Sequence, residues 1–278
     1  MAFQELKKRI KIVKNTGQIT KAMAAVSANK MKKSQNVALN SRPYCIKALN
    51  LLAAIAETLK EKNIYKFLEN QRGEQMEISN HFAGRMGFLI ISSDKGLCGS
   101  FYSNVFKKAR EYLLKTGVDT QKTDFFAVGR KAADFLKKQN LRQVFFLSKL
   151  GDITEIEKVE QLFNFIFQNY QKYFKIVCVY TNFISTLRQE AVVREIFPIS
   201  RKNIDEIITG ILSKKNLEFR NDAPEEKFNY EYLFEPSPEN ILKELIPALL
   251  RVQIYHLILE SNASEHSARM LAMKSASD

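Results

Sequence analysis

The sequence predicts an α/β chain: a three-layer α/β/α domain between long N- and C-terminal helices that pair as an antiparallel coiled coil. Three observations carry this. Gly (10) and Pro (6) are scarce in 278 residues, which favours long regular elements over a loop-rich fold. Both ends of the chain repeat small or apolar residues in steps of four and three. The middle alternates short apolar runs with amphipathic segments, the pattern of a mostly parallel sheet covered on both faces.

The first element is a helix from residue 3 to about residue 59, with Gly17 its sole glycine. Its stripe is Leu6, Ile10, Val13, Gly17, Thr20, Ala24, Ser27, Met31, Ser34, Ala38 and Ser41. This heptad seam is lean, and small side chains let two backbones approach closely. Ile12, Ile19, Met23 and Val26 form a bulkier edge beside it. Pro43 should kink or interrupt the helix, and the pattern resumes through Ile46, Leu49, Leu52 and Ile55. The polar stretch Glu69–Glu77 ends the segment.

In the middle, Met86–Ser92 reads as a buried strand, followed by a helix over Phe101–Lys115. Strands at Asp124–Val128 and Gln143–Leu147 flank a helix at Arg130–Lys138. A helix over Thr154–Lys172 places Ile156, Val159, Leu162, Phe163 and Ile166 on one face. Lys175–Tyr180 is a fourth strand and Ala191–Ile199 a fifth, at an edge. The order is Rossmann-like. The expected divisions are a helix over 1–60, the α/β domain over 78–210, an insert over 211–236 and a helix over 237–278. Phe228–Phe234 is a strand-like piece of the insert.

Ser237 as N-cap and Pro238 at the first helical position start the last helix, with a bend expected at Pro247. Its stripe is Ile241, Leu245, Ala248, Val252, Tyr255, Leu259, Asn262, His266, Arg269, Met273 and Ala276, increasingly polar toward the end. Fifty-odd helical residues span roughly 80 Å, against a radius of gyration near 15 Å for a compact domain of about 140 residues. The two helices should therefore project well beyond the domain.

The net charge is +13, and residues 1–35 hold nine Lys/Arg against Glu5 alone. A basic helix of this kind faces an acidic protein surface, anionic lipid or nucleic acid, the alternative being a solvated face with no partner. It lacks the aromatic stacking partners of a single-strand nucleic-acid binder. Cys45, Cys98 and Cys178 show no metal-ligand spacing and read as buried apolar residues in a reducing compartment. The first residues carry no apolar signal core. No run approaches the ~18 apolar residues of a membrane span, so contact with a membrane is expected only through partners.

The candidate site is Ser92-Ser-Asp-Lys-Gly-Leu-Cys-Gly-Ser100, between the first strand and its helix, where doubly wound folds bind phosphates. Gly96 and Gly99 make neither GxGxxG nor a P-loop, so the segment reads as a tight βα turn without a nucleotide site. His81, His256 and His266 are isolated. Glu260 and Glu265 read as solvated or as paired with Arg269, which stands at i,i+4 from Glu265. No catalytic constellation or cofactor site emerges, and a nucleotide-binding enzyme with helical arms is disfavoured.

Three segments, Lys14–Met23, Ser92–Gly99 and Glu260–Met273, resemble the gamma subunit of F-type ATP synthase, in that order and across the chain. The resemblance implies a non-catalytic rotor shaft. It would couple ion-driven rotation of a membrane c-ring to conformational cycling of the beta subunits. The implied partners are the alpha, beta and epsilon subunits and the c-ring, without nucleic acid, at the cytoplasmic face of the bacterial inner membrane. It also implies beta-subunit contacts at Lys21, Met23 and Arg269, and a foot signature, toward the c-ring side, of Asp94, Lys95, Gly96, Cys98 and Gly99. A paralogous rotary ATPase shaft is the alternative, and a basic-helix nucleic-acid-binding protein a more distant one. Family members are expected to continue about thirty to forty residues further, about 50 Å of helix, so the chain reads as a fragment of a longer shaft, with a naturally short-shafted form as the alternative.

Overall fold

A computed structural model describes residues 2–58, 84–151, 154–169, 172–197 and 234–278. Helix α1 (Ala2–Thr58) leads into β1 (Arg85–Ile91), α2 (Phe101–Thr116), β2 (Thr123–Val128), α3 (Arg130–Lys138) and β3 (Gln143–Leu147). Helix α4 (Ile156–Asn169), β4 (Tyr173–Phe183), β5 (Gln189–Phe197) and α5 (Pro238–Ser277) follow. The expected boundaries near 60, 78 and 210, and residues 228–233 of the strand-like piece, lie outside the described residues.

Among the described residues five strands form one sheet in the order β3-β2-β1-β4-β5. β1 pairs parallel with β2 and β4, β2 pairs parallel with β3, and β5 is antiparallel to β4. β1 is buried from Met86 onward because both of its faces are covered, which is why it reads as an apolar run rather than an alternation. One face carries Met86, Phe88, Ile90, Phe125 and Val177 against Val105 and Ala109 of α2 and Phe135 and Leu136 of α3. The other carries Leu89, Phe126, Ile176 and Cys178 against Val159, Leu162, Phe163 and Ile166 of α4. Each such apolar side chain contributes about 1.5–3 kcal/mol by leaving water.

The second face has another cover. Ile254, Leu257, Ile258 and Leu259 of α5 belong to the same core as the sheet and α4. The C-terminal helix thus completes the third layer instead of only projecting beyond the domain, a departure from the sequence expectation. The segment Val252–Leu259 is apolar on nearly all sides, and a helix apolar all round is buried all round. Helix α4 is also shorter than the expected Thr154–Lys172. Thr154 is held outside it, its carbonyl accepting from the Tyr255 hydroxyl at 2.9 Å and its Oγ1 from Asn262 Nδ2 at 2.6 Å.

Helix α1 packs along α5 in the opposite direction. Gly17 lies beside the carbonyl of Ser277, and Val37 and Ala38 touch the core that contains Ile254–Leu259. The lean seam is buried at Thr20, Ser27, Met31 and Ser34, while its N-terminal members Leu6, Ile10 and Val13 are exposed. Two of the seam hydroxyls satisfy themselves within α1, Ser27 Oγ donating to the Met23 carbonyl at 2.8 Å and Thr20 Oγ1 to that of Thr16 at 3.1 Å, whereas the buried Ser34 Oγ makes no hydrogen bond among the described residues. Small polar residues can therefore sit between two helices without asking the partner for a hydrogen bond. Both helices run unbroken through Pro43 and Pro247, so the interruption considered at Pro43 does not occur. Ser237 caps α5 as expected, its Oγ accepting from the Asn240 amide at 3.3 Å.

A close seam has a direct consequence. Ser27→Leu adds apolar surface yet should destabilise the chain by about 1–3 kcal/mol, because Ser27 is only 3% exposed on the helix seam and its neighbours must be pushed aside to admit the larger side chain. Ser27→Ala should stay within about 1 kcal/mol of wild type. Urea unfolding of both variants checks this.

Candidate functional site

The carboxyl ends of β1, β2 and β3 open into three loops, and α1 and α5 lie across them. Together they enclose a cleft of about 720 Å³. Ile19, Met23 and Val26 of α1 form one wall, the Asp94–Leu97 turn another, and Glu265, His266 and Arg269 of α5 the back. In a doubly wound sheet this end of the strands is where a ligand would sit.

Here the anion position is taken by the chain itself. Asp94 Oδ1 accepts from the amide of Arg130, the first residue of α3, at 3.0 Å, and Oδ2 accepts from the amide of Lys149 at 2.7 Å. A helix N-terminus favours negative charge, and an internal carboxylate supplies it. The β2–α3 turn is also closed up against the β1 end. Gly129 has φ +91°, and a Cβ on it would lie 2.3 Å from the Ser92 carbonyl oxygen.

Arg269 lies at the back of the cleft, only 9% exposed. Its Nη2 donates to Glu265 Oε1 at 2.5 Å, one helical turn away. The same guanidinium reaches the carbonyls of Gly96 at 3.4 Å and Lys95 at 3.5 Å. Its Nη1 lies 3.3 Å from His266 Nδ1, so with Arg269 as donor this ring nitrogen is the acceptor. Beneath the turn, Cys98 is fully buried. Burial pushes its thiol pKa up and the Glu265 carboxylate adds to this, with Arg269 opposing.

Further along α5, hydroxyls reach the opposite flank of the sheet. Ser264 Oγ donates to the Thr181 carbonyl at 3.2 Å, and Ser267 Oγ to that of Thr186 at 2.7 Å. Gln189 Nε2 donates to Ser267 Oγ at 3.3 Å.

A family model described as ATP synthase matches residues 2–278. Similar curated proteins carry one name, ATP synthase gamma chain. That of Acidovorax sp. (strain JS42) is 32% identical, covering all of this chain and 87% of the relative. That of Methylobacillus flagellatus is 31% identical, covering 99% of this chain and 87% of the relative. The chain belongs to the ATP synthase gamma-chain family. As a gamma chain it is a non-catalytic subunit. Its fold is similar to the Tetrahymena thermophila mitochondrial ATP synthase central stalk and c-ring structure, with TM-score 0.60 and 22% identity over 94% of this chain and 100% of that one. It is also similar to a chain of the Euglena gracilis mitochondrial ATP synthase in rotational state 3, with TM-score 0.57 and 14% identity over 99% and 82% of the two chains.

The structure brings residues from the three segments singled out in the sequence to one place. Met23 lines the cleft and Lys21 is exposed on the same helix close by. Asp94, Lys95 and Gly96 line its opposite wall, Cys98 lies beneath, and Gly99, with φ +57°, faces the Ala272 methyl of α5. Arg269, grouped by sequence with Lys21 and Met23, directly touches the signature turn. The i,i+4 pairing with Glu265 was readable from spacing. The capping role of Asp94 and the tasks of Ser264, Ser267 and Gln189 were not, since their partners are backbone groups distant in sequence.

The raised Cys98 pKa has a definite sign: the thiol stays neutral at pH values where an exposed cysteine forms thiolate. At pH 8.5 Cys98 and the equally buried Cys178 should resist iodoacetamide in the folded chain and react in urea. Peptide mapping of the alkylated protein reads this directly.

Proposed function

We propose that this chain is the central rotor shaft of an F-type ATP synthase, coupling ion-driven rotation of a membrane c-ring to conformational cycling of catalytic beta subunits. The observation that carries the reading is the double engagement of α5, which packs on the sheet on one side and on α1 on the other. A turn applied to the α/β domain would reach the helix pair without crossing a flexible joint.

In this reading α1 (1–60) and α5 (237–278) form an antiparallel coiled-coil shaft. The α/β domain (78–210) is the foot, and 211–236 an insert. The exposed basic face of α1, including Lys7, Lys8, Lys11, Lys14 and Lys21, turns toward acidic loops of the alpha and beta subunits. Exposed Ile12, Ile19 and Val26 beside it would take the apolar parts of such loops. Lys21 and Met23 are the direct beta-subunit contacts, with Arg269 supporting them from the back of the cleft. The epsilon subunit and the c-ring engage the foot, as the central stalk and c-ring named for the Tetrahymena structure suggests. None of the described helices is long and apolar enough to cross a membrane. Attachment to the cytoplasmic face of a bacterial inner membrane would run through these partners, and ATP chemistry would belong to beta.

Reconstitution tests this. Mixed with alpha and beta subunits of a related bacterial synthase, the chain should co-purify with them, and ATP hydrolysis should require them. Tight ATP binding by the isolated chain, or failure to join the alpha–beta ring, contradicts the reading.

A further inference from the structure

Apolar packing alone is a poor way to stop a helix from rolling. Burial is non-directional, so Ile254, Leu257 and Ile258 resist separation from the sheet far more than rotation about the helix axis. Hydrogen bonds are directional and fix an angle. On α5 they lie on two opposite flanks. Ser264 and Ser267 bind backbone carbonyls of β4 and the β4–β5 turn, at 3.2 and 2.7 Å. Arg269 reaches the carbonyls of Lys95 and Gly96 beyond β1, at 3.5 and 3.4 Å.

We infer that these contacts form a rotational latch between α5 and the sheet, with Arg269 a positioning residue that acts through the Asp94–Gly99 turn. The latch has a fixed base. Asp94 ties the turn to the first amide of α3 and to the Lys149 amide of the β3–α4 loop. The turn is therefore held by two other elements rather than hanging as a loose tether. Glu265, 13% exposed at its side chain, aims the guanidinium. A charged fork in a site this dry holds its geometry better than the same pair would in water. The mechanical consequence rests on the rotor-shaft reading. With the latch closed, foot and shaft turn in phase. With it open, the foot can turn while the shaft lags, and ions are pumped inefficiently per ATP.

The experiment has two arms. In the isolated full chain, the double variant Glu265→Gln/Arg269→Gln keeps the site polar without leaving a buried charge unpaired. It should speed hydrogen exchange of the Arg130 and Lys149 amides, which donate to Asp94 of the same turn, about tenfold at matched global stability. Ser264→Ala/Ser267→Ala, which removes only two hydroxyl groups, should do the same for amides of the β4–β5 turn, and carries the test if the first variant does not fold. In the membrane-reconstituted complex, Ser264→Ala/Ser267→Ala, which alters no residue of the proposed beta-subunit contact, should leave ATP hydrolysis near wild type and lower ions pumped per ATP about twofold. Leu114→Ala, on an exposed side chain of α2, should change neither. Unchanged exchange overturns the latch. Faster exchange with an unchanged pumping ratio, or pumping and hydrolysis falling in parallel, overturns its mechanical role while the rotor reading stands. Failure of the wild-type chain to assemble with alpha and beta subunits is a different result, and it removes the rotor reading itself.

Discussion

Between Gln253 and Met273, helix α5 must satisfy three neighbours at once, and the rest of the molecule is arranged around that demand. The sheet asks for apolar volume, met by Ile254, Leu257 and Ile258. The antiparallel helix α1 asks for slimness, met where the small residues Thr20, Ser27 and Ser34 are buried along its seam. The loops at the strand ends ask for directional partners, met by Asn262, Ser264, Ser267 and Arg269. A residue too large on one side or too apolar on another would force the helix off one neighbour. This is why a stretch that looks weakly amphipathic is among the most buried in the chain.

The same constraint explains the site at the strand ends. With α1 and α5 lying across the carboxyl edge of the sheet, the crevice that would otherwise accept a phosphate carries structural work. Asp94 fills the anion position at the start of α3 with the chain's own charge. Gly129 permits an approach to Ser92 that any side chain would block. The cleft that remains is walled on the α1 side by Ile19, Met23, Val26 and Lys30. Fold and function meet here: a dinucleotide-type frame has had its ligand site converted into a joint.

Much of this was legible in the sequence because period and punctuation are local signals. The apolar run Met86–Ile91, the α3 span Arg130–Lys138 and the Ser237–Pro238 helix start needed no knowledge of the partner. The seam from Thr20 to Ser34 was readable for the same reason. What stayed hidden depended on non-local backbone partners. A single-stripe reading of α5 took Asn262 and Arg269 as facing α1, although Asn262 bonds Thr154 and Arg269 reaches the Gly96 carbonyl. The near-continuous apolar segment Val252–Leu259 was the available clue that α5 has more than one buried face. The Ser92–Gly99 turn was read correctly as a turn, but nothing local announces that its aspartate caps a helix 36 residues away.

The central claim is that α5 is a structural member of both the sheet domain and the helix pair. Native-state hydrogen exchange on the full chain tests it most directly. If α5 is shared, its amides between Gln253 and Ser267 open only with those of β1 and β4, with the same free energy and the same denaturant dependence. If they open at lower free energy while β1 and β4 stay protected, α5 belongs to the helix pair alone, and the account of how foot and shaft are joined is wrong.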